Sequence, residues 1–150
     1  FVTRKITMAL AKIAHGSKSP LVLGNMDARR DWGFAGDYVK GMWAMLQQDK
    51  ADDYVLATGV TTPIRDFVVM AASAIGLSLE WTGKGIDEKA YDIKTGQLIV
   101  EVSDKFYRPA EVDLLIGDAS KAKKALGWKS EVTVKQLAEI MAKSDYDILS

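Results

Sequence analysis

The feature that most restricts the fold is the alternation of helix-like and strand-like apolar segments along these 150 residues. Apolar residues recur every three or four positions in stretches that predict helices, at residues 2–16, 37–48, 61–75, 118–126 and from 133 onward. Short apolar runs between them predict strands, at residues 21–23, 54–57, 78–81 and 98–102. Residues 82–97 are rich in glycine and charge and predict a surface loop. Because helices and strands alternate without an internal repeat, the sequence predicts an α/β fold.

Capping residues support three of the helix starts. Thr62 and Pro63 precede the third helix, where a threonine can cap and a proline is tolerated at the first position. Asp118 is a suitable cap for the fourth helix. Thr133, with Gln136 three residues later, matches a capping box at the start of the last helix. These local signals agree with the apolar pattern.

Composition excludes several classes of function. The 20 Lys and Arg residues balance 20 Asp and Glu residues, so no global field favours nucleic acid or an anionic membrane, and any anion site must be local. Without cysteine, and with His15 as its single histidine, the chain offers neither a disulfide framework nor a histidine-based metal centre. No apolar run reaches the roughly 18 residues of a membrane span. We therefore expect a soluble cytoplasmic protein.

The densest polar cluster lies between residues 23 and 39. A short apolar run, residues 21–23, ends at Gly24. Because glycine has no side chain, the main chain can approach a ligand closely there. Arg29 and Arg30 follow, and a guanidinium fork matches the oxygens of a carboxylate or phosphate. This pattern indicates an anion-binding loop. The alternative is a tight structural turn in which the arginines pair with nearby carboxylates, those of Asp27, Asp31 or Asp37.

A second arginine motif occurs between two strand-like runs. Arg108 is followed by Pro109, which restricts its backbone, and Glu111 comes two residues later. Two arginine loops at strand ends suggest a clamp on a polyanion such as a diphosphate, with Glu111 accepting hydrogen bonds from a ribose or base. The alternative is an Arg108–Glu111 pair that only fixes the turn.

Other charged residues carry simpler interpretations. Lys5, three residues after Val2, lies at the edge of the first helix's apolar face. Its aliphatic part can lie along that face while its ammonium group stays in water. No complete catalytic set is present: the sequence contains neither Gly-x-x-x-x-Gly-Lys-Ser/Thr nor Gly-x-Gly-x-x-Gly, and no tyrosine is followed by a lysine four residues later. The carboxylate pairs, Asp52 with Asp53 and Asp87 with Glu88, are most simply solvated.

Several strings resemble the C-terminal part of GDP-mannose 4,6-dehydratase, a family of extended short-chain dehydrogenase/reductases. The more specific strings are Phe-Val-Thr-Arg-Lys at residues 1–5 and Gly-Asn-x-Asp-Ala-x-Arg-Asp-Trp-Gly at residues 24–33. Further matches are found at residues 37–47, 108–112 and 117–128. The resemblance covers nearly the whole chain except residues 82–97.

The resemblance implies the C-terminal, nucleotide-sugar-binding portion of an enzyme whose N-terminal Rossmann domain binds NADP. The family converts GDP-mannose to GDP-4-keto-6-deoxy-mannose with a Tyr-x-x-x-Lys pair, a threonine and a glutamate, all of which would precede residue 1. No catalytic residue is therefore expected here, and residues 1–150 are expected to be an inactive fragment. The residues implied to hold the GDP-sugar are Val2 (through its backbone), Lys5, Gly24, Arg30, Arg108 and Glu111.

The resemblance also reinterprets the apolar second helix. In this family, residues of about 35–60 would cross back to cover and extend the Rossmann sheet, including the helix at 37–48 and the strand at 54–57. A homo-oligomer without nucleic-acid or membrane partners is implied for the complete enzyme. Pro63 departs from relatives that place a helix-capping serine there, which should alter the cap and leave the site intact. Two alternatives stay open: another nucleotide-sugar epimerase or reductase, and a free-standing nucleotide-binding module.

Overall fold

The computed structural model describes residues 1–107 and 114–150 and has the predicted α/β fold. Its helices are α1 (Val2–Ala14), α2 (Ala35–Leu46), α3 (Ile64–Ala74), α4 (Ser120–Leu126) and α5 (Val134–Ile148). Its strands are β1 (Leu21–Leu23), β2 (Arg29–Arg30), β3 (Thr62–Pro63), β4 (Leu79–Thr82), β5 (Lys89–Asp92), β6 (Leu98–Val102) and β7 (Leu114–Leu115). A 3₁₀ turn covers Gly85–Asp87. Among the described residues, none of the helices combines the length and apolar character that crossing a bilayer requires.

The larger sheet has the strand order β1-β6-β5-β4. β1 runs parallel to β6, with Leu21 opposite Val100, whereas β5 is antiparallel to both β4 and β6. Helices α1, α3 and α5 pack against one another. Their apolar faces join the sheet in one buried cluster, in which Leu10, Phe67 and Val100 are fully buried. The apolar periodicity of the sequence thus places its core correctly.

The smaller sheet, in the order β3-β2-β7, positions the central polar stretch. β2 is antiparallel to β3, with Arg30 opposite Thr62, and parallel to β7, with Arg30 opposite Leu115. Strands of two residues are too short to show a period of two, so the sequence pattern could not predict this sheet. Its consequence is that the backbone of Arg30 is held from both sides.

Helix α3 does not begin as predicted. Its N-cap is Pro63, no side chain caps it, and Thr62 lies in β3, so the prediction of a threonine cap is wrong. The first two amides of the helix are instead satisfied by carbonyls of a distant segment, between β1 and β2: Ile64 donates to the carbonyl of Ala28, and Arg65 to that of Met26. The Thr133–Gln136 capping box is formed as predicted. The prediction of Asp118 as the cap of α4 is wrong, because the N-cap is Ala119 and no side chain caps this helix. Asp118 lies one residue earlier and accepts a hydrogen bond from the Ser120 amide.

The surface loop predicted at residues 82–97 is wrong, because this segment contains the 3₁₀ turn and β5. β5 lies between β4 and β6 in the larger sheet. Its inward positions are Ala90 and Asp92, only 0% and 3% exposed. Alanine and aspartate are not the large apolar residues that mark the buried face of a strand. The segment Lys-Ala-Tyr-Asp therefore has the composition of a polar loop. Asp92 is tolerated inside because it accepts hydrogen bonds from Ser78 and Thr95.

The strand predicted at residues 54–57 is not formed in the described structure. No strand of the described residues lies beside this segment, so its backbone has no ladder partner. Tyr54 is half-buried beneath Lys121, whose Nζ lies 5.0 Å from the ring centroid. Leu56 packs close to Gly41 of α2. The apolar run therefore has no regular secondary structure and is only partly buried.

Candidate functional site

A cleft of about 460 Å³ lies where the start of α1 meets the end of β1. Of the six residues predicted to bind a nucleotide sugar, the four that the structure describes line this cleft: Val2, Lys5, Gly24 and Arg30. They come from two segments of the chain, helix α1 and residues 24–30. The remaining two, Arg108 and Glu111, lie outside the described residues, and their contact with a nucleotide stays a prediction.

Helix α1 contributes Val2 and Lys5. Residues three apart lie on the same face of a helix, and both therefore reach the cleft. The helix is held at its other side by Thr7, whose hydroxyl donates to the buried carboxylate of Asp145 on α5 over 2.6 Å. Arg4 forms an ion pair with the same carboxylate. These contacts fix how α1 is rotated, and so which of its side chains face the cleft.

Gly24 follows β1 and has a packing role besides the predicted approach to a ligand, which stays a prediction. The parallel pairing of β1 with β6 brings residues 103–107 alongside, and the Ser103 amide donates to the Leu23 carbonyl over 2.9 Å. A Cβ atom on Gly24 would overlap the carbonyl of Phe106. The glycine is therefore required for close packing of two backbone segments that wall the cleft, whether or not a ligand approaches it.

Lys5 lies against an aromatic wall. Its Nζ is 4.0 Å from the centroid of the Phe106 ring, within the range of a cation–π contact. Partial burial lowers the pKa of the Lys5 ammonium from its ordinary value. A cation that has lost part of its water is better placed to bind an anion than a fully hydrated one. The simple interpretation of Lys5 as a solvent-directed stem misses this contact.

The two adjacent arginines diverge. Arg30 lies in β2, reaches the cleft, and donates from Nη1 to the carbonyl of Arg29 over 2.8 Å. Arg29 is exposed and bonds instead to Thr61, from Nε to the hydroxyl at 3.1 Å and from Nη2 to the carbonyl at 2.9 Å. Successive side chains of a strand point to opposite faces, which explains the split. Only Arg30 is positioned for an anion in the cleft.

The carboxylates proposed as alternative arginine partners have other roles. Asp27 pairs with Arg65, at 2.6 Å. Asp31 accepts hydrogen bonds from the amides of Thr58 and Gly59, and Asp37 from those of Glu131 and Val132. Each carboxylate thus ties the central stretch to a different part of the fold.

Six further residues line the cleft and were not predicted as site residues: Phe1, Leu23, Asn25, Ile64, Lys105 and Phe106. Asn25 lies in the Gly-Asn turn, and Phe106 lies two residues before the Arg108 motif, so each had a signal next to it. Ile64 and Lys105 gave none, because they enter the cleft only through the pairing of distant segments. With three cations and an aromatic ring, this arrangement suits an anionic ligand that also carries an apolar or aromatic group.

Comparison with known proteins identifies the family. The family model described as GDP-mannose 4,6 dehydratase matches residues 1–141. The chain belongs to the GDP-mannose 4,6-dehydratase family. A GDP-mannose 4,6-dehydratase of Sinorhizobium fredii (strain HH103) is 53% identical over 99% of this chain. One from Vibrio cholerae serotype O1 is 50% identical over 98% of it. The resemblance drawn from the motifs is thereby confirmed.

This member of the GDP-mannose 4,6-dehydratase family spans only 42% of the length of each of these relatives. A solved structure, that of RMD from Pseudomonas aeruginosa complexed with NADPH, superposes over 100% of this chain with a TM-score of 0.77 and 21% sequence identity. The superposition covers 43% of that chain. At this identity the likeness supports the fold, and the family assignment comes from the sequence matches.

Proposed function

We propose that this chain is the GDP-mannose-binding part of an NADP-dependent GDP-mannose 4,6-dehydratase. The observation that carries the proposal is the meeting of Val2, Lys5, Gly24 and Arg30 in one cleft. Their positions come from α1, the end of β1 and β2, so only the folded chain brings them together. Relatives of that name, about half identical over nearly the whole chain, support the choice of substrate.

The cleft has the chemistry that a nucleoside diphosphate sugar requires. Arg30 can present its guanidinium fork to phosphate oxygens, and Lys5 and Lys105 add positive charge. Phe106 and the Val2 backbone offer an apolar wall and peptide groups beside a base or ribose. The volume of about 460 Å³ falls within the range of small-molecule sites. Since the chain has no net charge, this attraction is local to the cleft. Arg108 and Glu111 complete the proposed set, on the diphosphate and the ribose.

The reaction proposed for the complete enzyme is an internal redox dehydration. Mannose is oxidised at C4, the C5 proton and the C6 hydroxyl leave as water, and hydride returns to C6, giving GDP-4-keto-6-deoxy-mannose. NADP would supply the hydride acceptor and donor. The family resemblance implies that a Rossmann domain preceding residue 1 would hold the cofactor, together with the catalytic tyrosine, lysine, threonine and glutamate. The role of this chain's residues is to hold and orient the GDP-sugar.

The surface of α2 supports a domain contact. Its Val39, Trp43 and Leu46 are 60%, 65% and 82% exposed, and the segment at 54–57 has no strand partner among the described residues. Such a patch is typical of an interface. We infer that residues of about 35–60 pack on the Rossmann domain and extend its sheet. The family resemblance extends the proposal to a cytoplasmic homo-oligomer.

An activity assay tests the proposal. The full-length protein that contains this chain is incubated with GDP-mannose and NADP, and the products are analysed by mass spectrometry. We expect a 4-keto product that has lost one water molecule. An isomer of unchanged mass would instead indicate an epimerase, and tight GDP binding without turnover would indicate a nucleotide-binding module. Either outcome would contradict the dehydratase proposal.

A further inference from the structure

We propose that Arg65 and Asp27 are positioning residues for the nucleotide cleft. The segment they hold, residues 24–30, is called the cleft loop below, because its Gly24, Asn25 and Arg30 line the cleft. The inference rests on the proposed function, since it assigns to Arg65 and Asp27 the task of holding the loop in its nucleotide-binding shape. Neither residue lines the cleft.

Arg65 uses every nitrogen of its guanidinium group. Nε donates to Oε1 of Glu88 over 2.6 Å and Nη2 to Oε2 over 2.8 Å, which is a bidentate pair. Nη1 reaches Asp27 Oδ1 at 2.6 Å. These bonds are within the short range of charge-assisted hydrogen bonds. One side chain therefore joins the cleft loop to a second carboxylate in a distant segment.

Glu88 is the fixed end of this connection. Its side chain is only 7% exposed, so the prediction that Glu88 is solvated beside Asp87 is wrong. Its carbonyl accepts a hydrogen bond from the Val102 amide at the end of β6. A buried carboxylate needs a matched partner, and the planar fork of Arg65 provides one. The anchor thus belongs to the larger sheet, which the apolar core holds in place.

The backbone of the cleft loop is attached to the same place. The Arg65 amide donates to the Met26 carbonyl over 3.1 Å, so Arg65 holds the loop with its main chain and its side chain. Within the loop, the Asp27 amide donates to Asn25 Oδ1 over 2.9 Å, which fixes the side chain of a cleft residue. Moving Asp27 would therefore move Asn25.

The exposure of Asp27 indicates that its ion pair can position the cleft loop without contributing much to the stability of the fold. The Asp27 side chain is 73% exposed, so its ion pair contributes little to the stability of the fold. Met26 and Ala28, on either side of it, are 2% and 1% exposed and keep the loop attached to the core without it. Removing the Asp27 carboxylate should consequently loosen the cleft loop while the protein stays folded.

The test compares Asp27→Ala with wild type in the full-length enzyme. We expect the Kd for GDP and the KM for GDP-mannose to rise about three- to tenfold, as for the loss of one positioning hydrogen bond, with kcat and the melting temperature unchanged. Asp27→Glu, which keeps the carboxylate, should bring the Kd to within about twofold of wild type. Arg65→Lys should weaken binding and also lower the melting temperature, because Glu88 loses its bidentate partner.

The matched control is Asp52→Ala. It removes an exposed ion pair of similar length, Asp52 to Lys121 at 2.7 Å, away from the cleft, and should leave the Kd unchanged. A Kd and KM in Asp27→Ala equal to those of wild type would overturn the positioning role while leaving the proposed function intact. A wild-type enzyme that binds no GDP would overturn both. A fall in melting temperature without a change in Kd would show that the pair is only structural.

Discussion

At the residue scale, Lys5 and Arg30 reach the same cleft by different routes. Lys5 depends on the rotation of α1, which the Thr7–Asp145 hydrogen bond fixes, whereas Arg30 depends on β2 being paired on both sides. The side chain of Lys5 is flexible and lies against the ring of Phe106, whereas the main chain of Arg30 is fixed by strand pairing. We therefore expect the two cations to respond differently to pH and to substitution.

We expect the ammonium of Lys5 to make nucleotide binding sensitive to alkaline pH. Because burial lowers its pKa, Lys5 loses its charge at a lower pH than a free lysine, whose pKa is about 10.4. The affinity for GDP should be full while Lys5 is protonated and should fall as pH rises through the lowered pKa. Titration of the Kd by calorimetry checks this. Lys5→Arg, which stays charged, should flatten the alkaline limb, and an unchanged limb in that variant would contradict a role for Lys5.

Some of these site residues could be predicted from the sequence, and the contacts of others could not. A spacing of three predicted that Val2 and Lys5 share a side, and the family resemblance selected Arg30 over Arg29. No sequence pattern indicates a second requirement at Gly24, which is that the glycine accommodates the Phe106 carbonyl of the same chain. That contact depends on the register of β1 with β6, which no local pattern encodes.

At the element scale, the carboxylate of Asp37 is a buried contact between α2 and the segment before α5, which an exposed Lys40–Glu131 ion pair also joins. Asp37 is 2% exposed and accepts hydrogen bonds from the amides of Glu131 and Val132, at 2.8 and 2.9 Å. Burial alone would raise the pKa of Asp37, but these amides, with Lys40 and Ser130, outweigh it and lower the pKa. Trp128 donates from its indole to the Asp37 carbonyl over 2.6 Å and completes the junction.

This junction should contribute to the acid sensitivity of the fold. Since the folded-state pKa of Asp37 lies below the unfolded value of about 3.9, its stabilisation is complete above that pH and is lost as pH falls through the folded pKa. Asp37→Asn should lower the free energy of unfolding at pH 7 by about 1–3 kcal/mol, with the deficit shrinking toward pH 3. Urea denaturation at several pH values measures it. A deficit that stays constant down to pH 3 would show that the charge is not responsible.

Elements with strong apolar periodicity were predictable, and elements defined by pairing were not. Helices α1, α3 and α5 each present a continuous apolar face, and the sequence located all three. β5 was taken for a loop because its buried positions are an alanine and an aspartate. The predicted strand at 54–57 failed for the opposite reason, since its apolar run has no neighbouring strand among the described residues. Pairing is a tertiary property that a local window does not contain.

At the scale of the whole molecule, the apolar face of α2 predicts how residues 1–150 behave alone. With Trp43 65% exposed and Leu46 82% exposed, the isolated chain should self-associate and have no dehydratase activity. Sedimentation velocity over a range of concentrations measures the association. Trp43→Glu should reduce it, whereas Ile93→Glu, at an exposed position in the turn after β5, should not. A monomer with a cooperative melt at all concentrations would contradict this prediction.

The two-arginine stretch provides the most direct test of the central claim, that this chain holds the diphosphate of a nucleotide sugar. In the full-length protein, calorimetry with GDP should show the Kd rising about 10- to 150-fold in Arg30→Ala, because a charge-assisted phosphate contact is lost. Arg29→Ala is the matched control and should stay near wild type, since Arg29 bonds to Thr61. An unchanged Kd in Arg30→Ala, or an equal loss in both variants, would contradict the account.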